Sequence, residues 1–286
     1  MAITPSPLRY PGGKTSILPM VSKIIEDNNL GDGDYAEPYA GGGGLALSLL
    51  FNDLVNEIHL NDIDRSIWSF WHTVLNDTES LIDKIKNTDI TIDEWHIQRN
   101  IQQNKNDFND FELAYSSFFL NRTNRSGIIL KAGVIGGLKQ AGDYKLDCRF
   151  NKSGLIERIK RIYQYRHRIH LYNLDAVDFI QKTNEALPEN SMYCIDPPYF
   201  AKGSSLYTNF YNPDDHKQVS EAILKLDRPW ILTYDNAPEI EKLYSNQSKY
   251  RFNLNYSAAK KRKGTELLIT SNNIEVCPSL ELMNVA

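Results

Sequence analysis

The chain has 286 residues, of which 41% are apolar and 11% aromatic, and its formal net charge at pH 7 is −4. This composition can build an ordinary core for one large α/β domain with a smaller appended domain, and it excludes global disorder. No apolar run reaches the roughly 18–20 residues that cross a bilayer, and the N-terminal residues lack a signal-peptide pattern, so we expect a cytoplasmic protein.

The first third of the chain alternates helix, strand, glycine-rich turn, helix and strand. In chain order these elements are predicted at 15–28, 34–39, 41–44, 45–51 and 57–61. Such alternation indicates βαβ units and therefore a parallel sheet. From 63 to about 115 the pattern is helical, and Thr91-Ile-Asp-Glu94 matches a capping box for one of these helices.

Residues 121–151 are rich in Gly, Asn, Arg and Lys, lack a helical period and predict a loop or hairpin region. The α/β pattern then returns, with elements predicted at helix 155–168, strand 169–174, helix 175–183, strands 191–195 and 230–234, helix 237–244 and strand 266–270. The simplest architecture is one doubly wound, mostly parallel sheet built from residues 1–64 and 154–286. A mainly helical, basic insertion at 65–153 interrupts it.

The charge is distributed unevenly along the chain. Residues 121–170 contain twelve Lys and Arg against three Asp and Glu, a local charge of +9, which leaves −13 for the remainder. A basic block in an otherwise acidic protein is typical of a polyanion site, because neutralised phosphates release counterions. The alternative is a solvated basic helix near 155–169.

The most informative segment is Asp196-Pro197-Pro198-Tyr199, which follows an apolar strand. In an open α/β sheet, ligands bind beyond the carboxyl ends of the strands, where this turn is predicted to lie. Two prolines remove two backbone donors and leave carbonyl oxygens free to accept. An exocyclic aryl amine needs such acceptors, because its lone pair is delocalised into the ring. The alternative is a structural turn with a capping Asp and a core Tyr.

This segment resembles the catalytic motif of the amino-methyltransferases, in the Asp form typical of enzymes that modify adenine in DNA. Residues 36–43 (Ala-Glu-Pro-Tyr-Ala-Gly-Gly-Gly) resemble the first motif of that family. The order of cofactor motif, long insertion and catalytic motif resembles the Dam-type (D12 class, alpha-group) DNA adenine-N6 methyltransferases. The resemblance implies a Rossmann-like S-adenosylmethionine-dependent methyltransferase domain, in which the insertion recognises the DNA target. It further implies that Tyr199 stacks on an adenine flipped out of the duplex.

Several segments are candidates for binding S-adenosylmethionine. Glycines allow close backbone approach, and the next helix N-terminus can accept a carboxylate. An acid at the end of the second strand can bind ribose hydroxyls, and we favour Asp62 over Asp64, which could equally cap the following helix. By resemblance, Asp175 contacts the cofactor adenine, and Asp178 is a weaker candidate. The full expected set is Tyr10, Lys14, Glu37, Tyr39, Ala40, Gly41, Gly43, Asp62, Ile63, Asp175 and Asp196.

Tyr10 and Lys14 enter this set because residues 8–15 resemble the segment that precedes the first motif in Dam-type enzymes. The rival interpretation is a phosphate-binding P-loop that ends in Gly-Lys-Thr. That motif requires glycine five positions before Gly13, where Leu8 stands, and no strand precedes it.

Residues 119–127 resemble the Asn-Arg-rich segment beside the recognition region of Dam-type enzymes, and 260–263 suit a loop that contacts the DNA backbone. Arginine suits bidentate contact with guanine, and lysine suits phosphate. The expected DNA contacts are Arg122, Asn124, Arg125, Lys131, Lys139, Lys145 and Arg149.

A metal is not expected. Three scattered cysteines, Cys148, Cys194 and Cys277, and six histidines without HxxxH spacing show no ligand pattern. Methyl transfer from a sulfonium also requires no metal.

Other activities remain as alternatives: N4-cytosine methylation, methylation of a protein glutamine amide, and a DNA-binding module without cofactor affinity. The favoured hypothesis is site-specific methylation of adenine N6 in double-stranded DNA by a bacterial or phage-encoded enzyme. A cognate restriction endonuclease acting on the same site is a further candidate partner.

Overall fold

The computed structural model describes residues 4–9, 14–200, 211–256, 262–277 and 283–284. The helices are α1 (Leu18–Asp27), α2 (Gly44–Phe51), α3 (Arg65–Asn76), α4 (Thr78–Asn87), α5 (Ile92–Gln103), α6 (Asp110–Thr123), α7 (Lys152–Gln164), α8 (Ala176–Ala186), α9 (Pro213–Ile223) and α10 (Pro238–Leu243). The strands are β1 (Tyr35–Glu37), β2 (Ile58–Asn61), β3 (Ile169–Tyr172), β4 (Met192–Ile195), β5 (Trp230–Asp235), β6 (Ser248–Tyr256), β7 (Arg262–Thr270) and β8 (Met283–Asn284).

All these strands form one sheet in the order β3-β2-β1-β4-β5-β7-β6-β8. The first five are mutually parallel, whereas β7 runs antiparallel to β5 and to β6. The chain winds outward from β1 in one direction and from β4 in the other, which makes the β1–β4 boundary the topological switch point of the sheet. The predicted mostly parallel α/β sheet is confirmed, with an antiparallel segment at its C-terminal side.

Alternating strand residues pack into separate cores on the two faces of the sheet. In β4, Met192 and Cys194 join one core, and Tyr193 and Ile195 join the other. Helices α8, α9 and α10 cover the second core, whereas α1, α2 and α3–α7 cover the first. Because both faces are buried there, β4 (Met-Tyr-Cys-Ile) is a continuous apolar run rather than an alternating strand. The sheet is therefore doubly wound, as predicted.

The helical region 65–123 shares its core with the sheet. Phe70 of α3 and Phe118 of α6 stack with ring centroids 5.9 Å apart, and both belong to the cluster that includes Leu60 of β2. Helix α6 begins at a capping box formed by Asn109 and Glu112. The division into a catalytic part (1–64 and 154–286) and a recognition insertion (65–153) stays a proposal.

Several elements differ from the sequence-based expectation. Helix α6 continues to Thr123, so the loop predicted from 121 begins three residues later. Helix α9 and strands β6 and β8 were not predicted, although α9 begins with Asn212-Pro213, a typical helix start in which Asn212 caps the helix. In the part of the chain that the structure describes, no helix is both long and apolar enough to cross a membrane.

Candidate active site

Three acidic side chains follow three neighbouring parallel strands. Glu37 ends β1, Asp62 follows β2, and Asp196 follows β4. Because β1 lies between β2 and β4, the carboxyl ends of these strands meet at one edge of the sheet, beside the switch point. The sheet thus brings together acids that lie up to 159 positions apart in the sequence.

A buried ion-pair network surrounds Asp196. The Lys14 ammonium lies 3.0 Å from Asp196 Oδ1 and 3.2 Å from Glu266 Oε2. The Tyr199 hydroxyl donates to Glu266 Oε1 and lies 3.5 Å from Lys14 Nζ. From β5, Thr233 Oγ1 donates to Asp196 Oδ1 at 2.8 Å. Two carboxylates therefore share one ammonium, which gives the network a net negative charge.

Burial and charge act in opposite directions on this network. Burial raises the pKa of Asp196, and the neighbouring Lys14 opposes that rise. Burial alone would lower the pKa of Lys14, but the carboxylates of Asp196 and Glu266 outweigh it and raise that pKa above its ordinary value. Lys14 is therefore positively charged at neutral pH. Its charge favours the ionised form of the Asp196 carboxyl, which burial alone would disfavour.

The glycine-rich turn after β1 has a conformation that requires glycine. Gly41 and Gly43 have φ angles of +48° and +55°. A Cβ at Gly43 would lie 3.2 Å from Cζ2 of Trp71, whose indole N–H donates to the Gly41 carbonyl at 2.9 Å. The Gly41 N–H donates to Asp62 Oδ2 at 3.0 Å. Trp71 and Asp62 thus hold the turn through the Gly41 carbonyl and N–H, and the backbone of the turn lies close to the switch point of the sheet.

Two of the acids at this edge have pKa values raised above those of ordinary carboxyls. Burial raises the pKa of Glu37 to about 8, although the Tyr35 hydroxyl donates to it at 2.9 Å. Burial likewise raises the pKa of Asp62 to about 7, against the hydrogen bond from the Asp64 N–H. Perturbed carboxyls that meet at one edge of a sheet are typical of functional sites.

Asn61, which was not singled out from the sequence, joins the loops that form this edge. Its amide donates to the carbonyls of Pro38 and Leu174, both at 3.0 Å, and its oxygen accepts from the Leu174 N–H at 2.9 Å. One side chain thus fixes the segments that follow β1 and β3. The only signal in the sequence is its place at the end of β2, directly before Asp62.

The other expected cofactor residues lie around this edge, and Tyr10 lies outside the described residues. Asp64 caps α3 by accepting from the Ser66 N–H at 3.0 Å, and the exposed Asp175 caps α8. The Tyr39 hydroxyl lies 2.9 Å from that of Tyr211. The sequence missed Glu266, Thr233 and Trp71, because these contacts join residues far apart in the chain.

The ring of Tyr199 is not open to a stacking partner in this conformation. The residue is only 6% exposed, and its hydroxyl is held by Glu266. Ile63, by contrast, is 52% exposed at the same edge, just after β2. A stacking role for Tyr199 requires its ring to become accessible and stays a prediction.

Two expected DNA contacts have structural roles instead. Arg122 is 6% exposed, and its guanidinium donates to the Pro7 carbonyl. Asn124 is fully buried; its side chain accepts from Trp95 Nε1 at 2.7 Å and donates to the carbonyl of Ile129 at 2.7 Å. Because neither side chain can reach DNA from these positions, we remove both from the proposed DNA surface. Burial lowers the pKa of Arg122 to about 9.

Arg122 and its neighbour Asn121 hold the N-terminal segment that leads to Lys14. Asn121 Oδ1 accepts from the Arg9 N–H at 2.7 Å, and Asn121 Nδ2 donates to the Arg9 carbonyl at 2.7 Å. From α7, Arg158 donates to the Ser6 carbonyl at 3.0 Å. The Asn-Arg-rich segment and Arg158 thus hold the backbone of residues 6–9, and we call this set of contacts the clamp.

The remaining expected DNA contacts are exposed. A groove of about 590 Å³ runs between α5 and the 125–138 segment, with Trp95 and Leu138 among its apolar walls. Arg99, Arg125 and Lys131 line the same groove and make it basic. The exposed cations of this region are Arg125, Lys131, Lys139, Lys145 and Arg149.

An open α/β sheet with an acidic Pro-Pro turn and a glycine turn at its switch point fits the methyltransferase fold that the sequence predicts. The family model for the D12 class N6 adenine-specific DNA methyltransferases matches residues 10–260, and the chain belongs to that family. The chain is 26% identical over 242 residues to the Type II methyltransferase M.MjaIII of Methanocaldococcus jannaschii. This alignment covers 77% of the chain and 80% of the relative. Among solved structures, a proposed RNA methyltransferase from Pyrococcus horikoshii aligns with 98% of this chain and 87% of its own, at 11% identity and a TM-score of 0.43.

Proposed function

We propose that the protein transfers the methyl group of S-adenosylmethionine to the N6 amine of an adenine flipped out of duplex DNA at a specific site. The observation that supports this best is the position of Asp196, at the switch point and held by Lys14 and Thr233. Family membership supplies the reaction class and the DNA substrate. The donor, the flipped base and the roles of individual residues belong to the proposal.

Asp196 is suited to bind the amine. Both of its protein contacts, from Lys14 and Thr233, reach Oδ1, and among the described residues no hydrogen bond reaches Oδ2. Oδ2 can therefore accept a hydrogen bond from the amine, and the Pro197 carbonyl can accept a second. Two acceptors at tetrahedral positions favour a pyramidal nitrogen whose lone pair is free to attack. Catalysis then depends on positioning and on charge stabilisation.

The residues around the switch point suit a cationic donor. When bound, S-adenosylmethionine supplies a methyl group on a positively charged sulfur that is already a good leaving group. The net negative charge of Lys14, Asp196 and Glu266 favours that cation. The positive-φ turn at Gly41 and Gly43 admits close backbone approach. The residues proposed to hold the donor are Tyr10, Lys14, Glu37, Tyr39, Ala40, Gly41, Gly43, Asp62, Ile63, Asp175 and Asp196.

We further propose that residues 65–153 recognise the DNA target through the basic groove and the exposed cations that follow it. Arg125 and Lys131 lie in the groove, and Lys139, Lys145 and Arg149 lie beyond it along the chain. Basic side chains at a groove with aromatic and aliphatic walls suit a polyanion that carries bases. Because the Methanocaldococcus relative is a Type II methyltransferase, a cognate restriction endonuclease remains a candidate partner.

The test is methyl transfer from labelled S-adenosylmethionine to mixed-sequence duplex DNA, followed by nucleoside analysis. We expect the label in N6-methyladenine, its loss in Asp196→Asn, and normal transfer in Asp32→Asn, a matched change at an exposed carboxylate outside the proposed recognition region. Label in N4-methylcytosine would show that the target base is cytosine rather than adenine. Undiminished transfer by Asp196→Asn would refute the assignment of Asp196.

A further inference from the structure

Three arginines meet at residues 6–9 of the N-terminal segment. Arg122, in the last turn of α6, and Arg158 of α7 each donate to a backbone carbonyl of this segment. Arg9 belongs to the segment itself and lies two and three positions after those carbonyls. A Cβ added at Gly127 would lie 3.0 Å from the Arg9 Cβ, so the Arg9 side chain begins beside the loop that follows α6.

A fourth arginine, Arg149, lies in the loop before α7. The ring of the next residue, Phe150, packs against Phe118 and Phe119 of α6, with ring centroids 5.3 and 5.6 Å apart. These contacts place Arg149 beside the C-terminal half of α6, and its side chain is exposed. Four guanidiniums from three separate parts of the chain thus converge on one region.

The charges of these guanidiniums act on one another. Burial, and next the charges of Arg158, Arg9 and Arg149, lower the pKa of Arg122 to about 9. Burial, and next Arg149, also lower the pKa of Arg9, against an opposing effect of Cys148. Each cation therefore disfavours the charged form of its neighbours, and a bound anion relieves that repulsion.

None of the four guanidiniums is paired with a carboxylate among the described residues. Arg65, Arg168 and Arg251, by contrast, each form an ion pair. The Nη1 atom of Arg9 is also buried, and no acceptor for it lies in the part of the chain that the structure describes. A buried charged N–H without an acceptor is rare in folded proteins and indicates a site completed by water or an anion. Four clustered positive charges favour the anion.

We propose that Arg9 and Arg149 together bind one backbone phosphate of the DNA, and that Arg122 and Arg158 supply further positive charge behind it. This site rests on the proposed recognition of DNA, and it adds Arg9 to the contacts proposed above. Guanidinium N–H groups match phosphate oxygens in pairs, and such charge-assisted hydrogen bonds are among the stronger ones in proteins. Because Arg122 and Arg158 are engaged with carbonyls, the two other arginines are the ones able to reach a phosphate.

The position of the site suits DNA that presents a base to the active site. Lys14, which pairs with Asp196, is five positions after Arg9. The Cα atoms of Arg9 and Lys14 are therefore at most about 18 Å apart. Since one strand of a duplex advances 3.4 Å per phosphate, a phosphate at Arg9 lies within roughly five nucleotides of a base that reaches Asp196.

The competing interpretation is that all four arginines only hold the N-terminal segment in place. The clamp uses the N–H and the carbonyl of Arg9, and not its guanidinium. Replacement of the Arg9 side chain therefore leaves the clamp intact. A purely structural role predicts a change in stability, whereas a phosphate contact predicts a change in DNA binding and its salt dependence.

The test measures the affinity of the full-length chain for a labelled mixed-sequence duplex by fluorescence anisotropy, without donor and over a series of salt concentrations. Arg9→Gln should weaken binding about tenfold or more, since a hydrogen bond to a charged group is lost. The slope of log Kd against log salt concentration should become shallower by about 0.9, the contribution of one phosphate contact. Arg9→Lys retains the charge and should keep most of the slope. Thermal denaturation shows whether each variant is folded.

Arg166→Gln is the matched control, since Arg166 is an exposed cation that precedes β3, at the edge of the sheet opposite the active site. Its affinity and salt slope should equal those of the parent. Arg149→Gln should resemble Arg9→Gln. The double substitution at 9 and 149 should add little to the change in slope, because both side chains bind the same phosphate.

Three results would overturn the site. The first is a salt slope of folded Arg9→Gln that equals that of the parent. The second is saturable binding of inorganic phosphate that Arg9→Gln abolishes without any change in duplex affinity, which would assign the arginines to a free phosphate. The third is a failure of the parent chain to bind duplex DNA, which would contradict the proposed function as well. Because binding is measured without donor, a failure of methyl transfer alone leaves the expected change in slope the same.

Discussion

Glu266→Gln tests whether the buried network around Asp196 supports methyl transfer. Glu266 is 1% exposed and uses both oxygens, one for Lys14 and one for Tyr199. Glutamine has nearly the same shape but only one acceptor oxygen, and its other terminal group is a donor. It can therefore accept from Lys14 or from Tyr199, but not from both. Lys14 then pairs more strongly with Asp196, so the Asp196 carboxylate becomes a weaker acceptor for the amine.

The size of the effect follows from the contact that is lost. A hydrogen bond to a charged group contributes about 1.5–3 kcal/mol. Because each 1.36 kcal/mol of barrier is a factor of ten, single-turnover transfer should slow by about 10- to 150-fold. The appropriate assay keeps enzyme in excess over duplex DNA at saturating labelled donor, so that product release does not contribute to the rate. Thermal denaturation shows whether the variant is folded.

Glu185→Gln supplies the matched control, because it makes the same chemical change at an exposed position on α8. A folded Glu266→Gln enzyme that transfers within about twofold of the parent would refute the reasoning. In that case the network would serve folding alone, and Asp196 would act independently of Lys14.

Four further substitutions test other parts of the molecule. Glu37 has a folded pKa of about 8 against 4.5 ordinarily, so the folded state holds an extra proton and the stability of the ligand-free chain falls as pH rises through that interval. Glu37→Gln should flatten this slope by up to about 1.4 kcal/mol per pH unit in denaturant titrations, and an unchanged slope would contradict the shift. Gly43→Ala should cost about 1–2 kcal/mol of unfolding free energy and weaken donor binding, since alanine disfavours the positive φ of this position. Normal stability and normal donor affinity would contradict the proposed role of the glycine-rich turn. Asn124→Ala leaves the buried Trp95 N–H without its acceptor and should lose about 1–3 kcal/mol of stability. Arg125→Ala should leave stability within about 0.5 kcal/mol and flatten the salt dependence of DNA binding. Equal behaviour of the two variants would refute their separate roles.

Local pattern was sufficient to predict most of the sheet and the acids at its edge. Short segments of strand-forming residues end at Glu37 and directly before Asp62 and Asp196, so the carboxyl ends of these strands can be placed without knowledge of any long-range contact. Helix α9 and strands β6 and β8 were missed. Strand β6 was missed although polar and apolar residues alternate strictly from Lys249 to Tyr256, which is the pattern of a half-buried strand.

Contacts between distant segments could not be predicted in this way. Glu266 reaches Lys14 across 252 positions, and nothing near either residue indicates the other. Exposure was equally hidden: Arg122 and Arg125 stand in the same Asn-Arg-rich segment, yet one is buried against Pro7 and the other is exposed. Residue type alone does not distinguish a clamp on the backbone from a contact with phosphate.

The clamp on residues 6–9 also determines where mutations can accumulate. Asn121 and Arg122 bind the carbonyls of Pro7 and Arg9 and one N–H, none of which depends on the side chains at those two positions. Positions 7 and 9 can therefore change identity without loss of the clamp, whereas 121 and 122 cannot. Proline marks the limit: it stands at 7, where only the carbonyl is used, but at 9 it would remove the N–H that Asn121 accepts. The clamp therefore constrains the side chains at 121 and 122, whereas at positions 7 and 9 it constrains only the backbone.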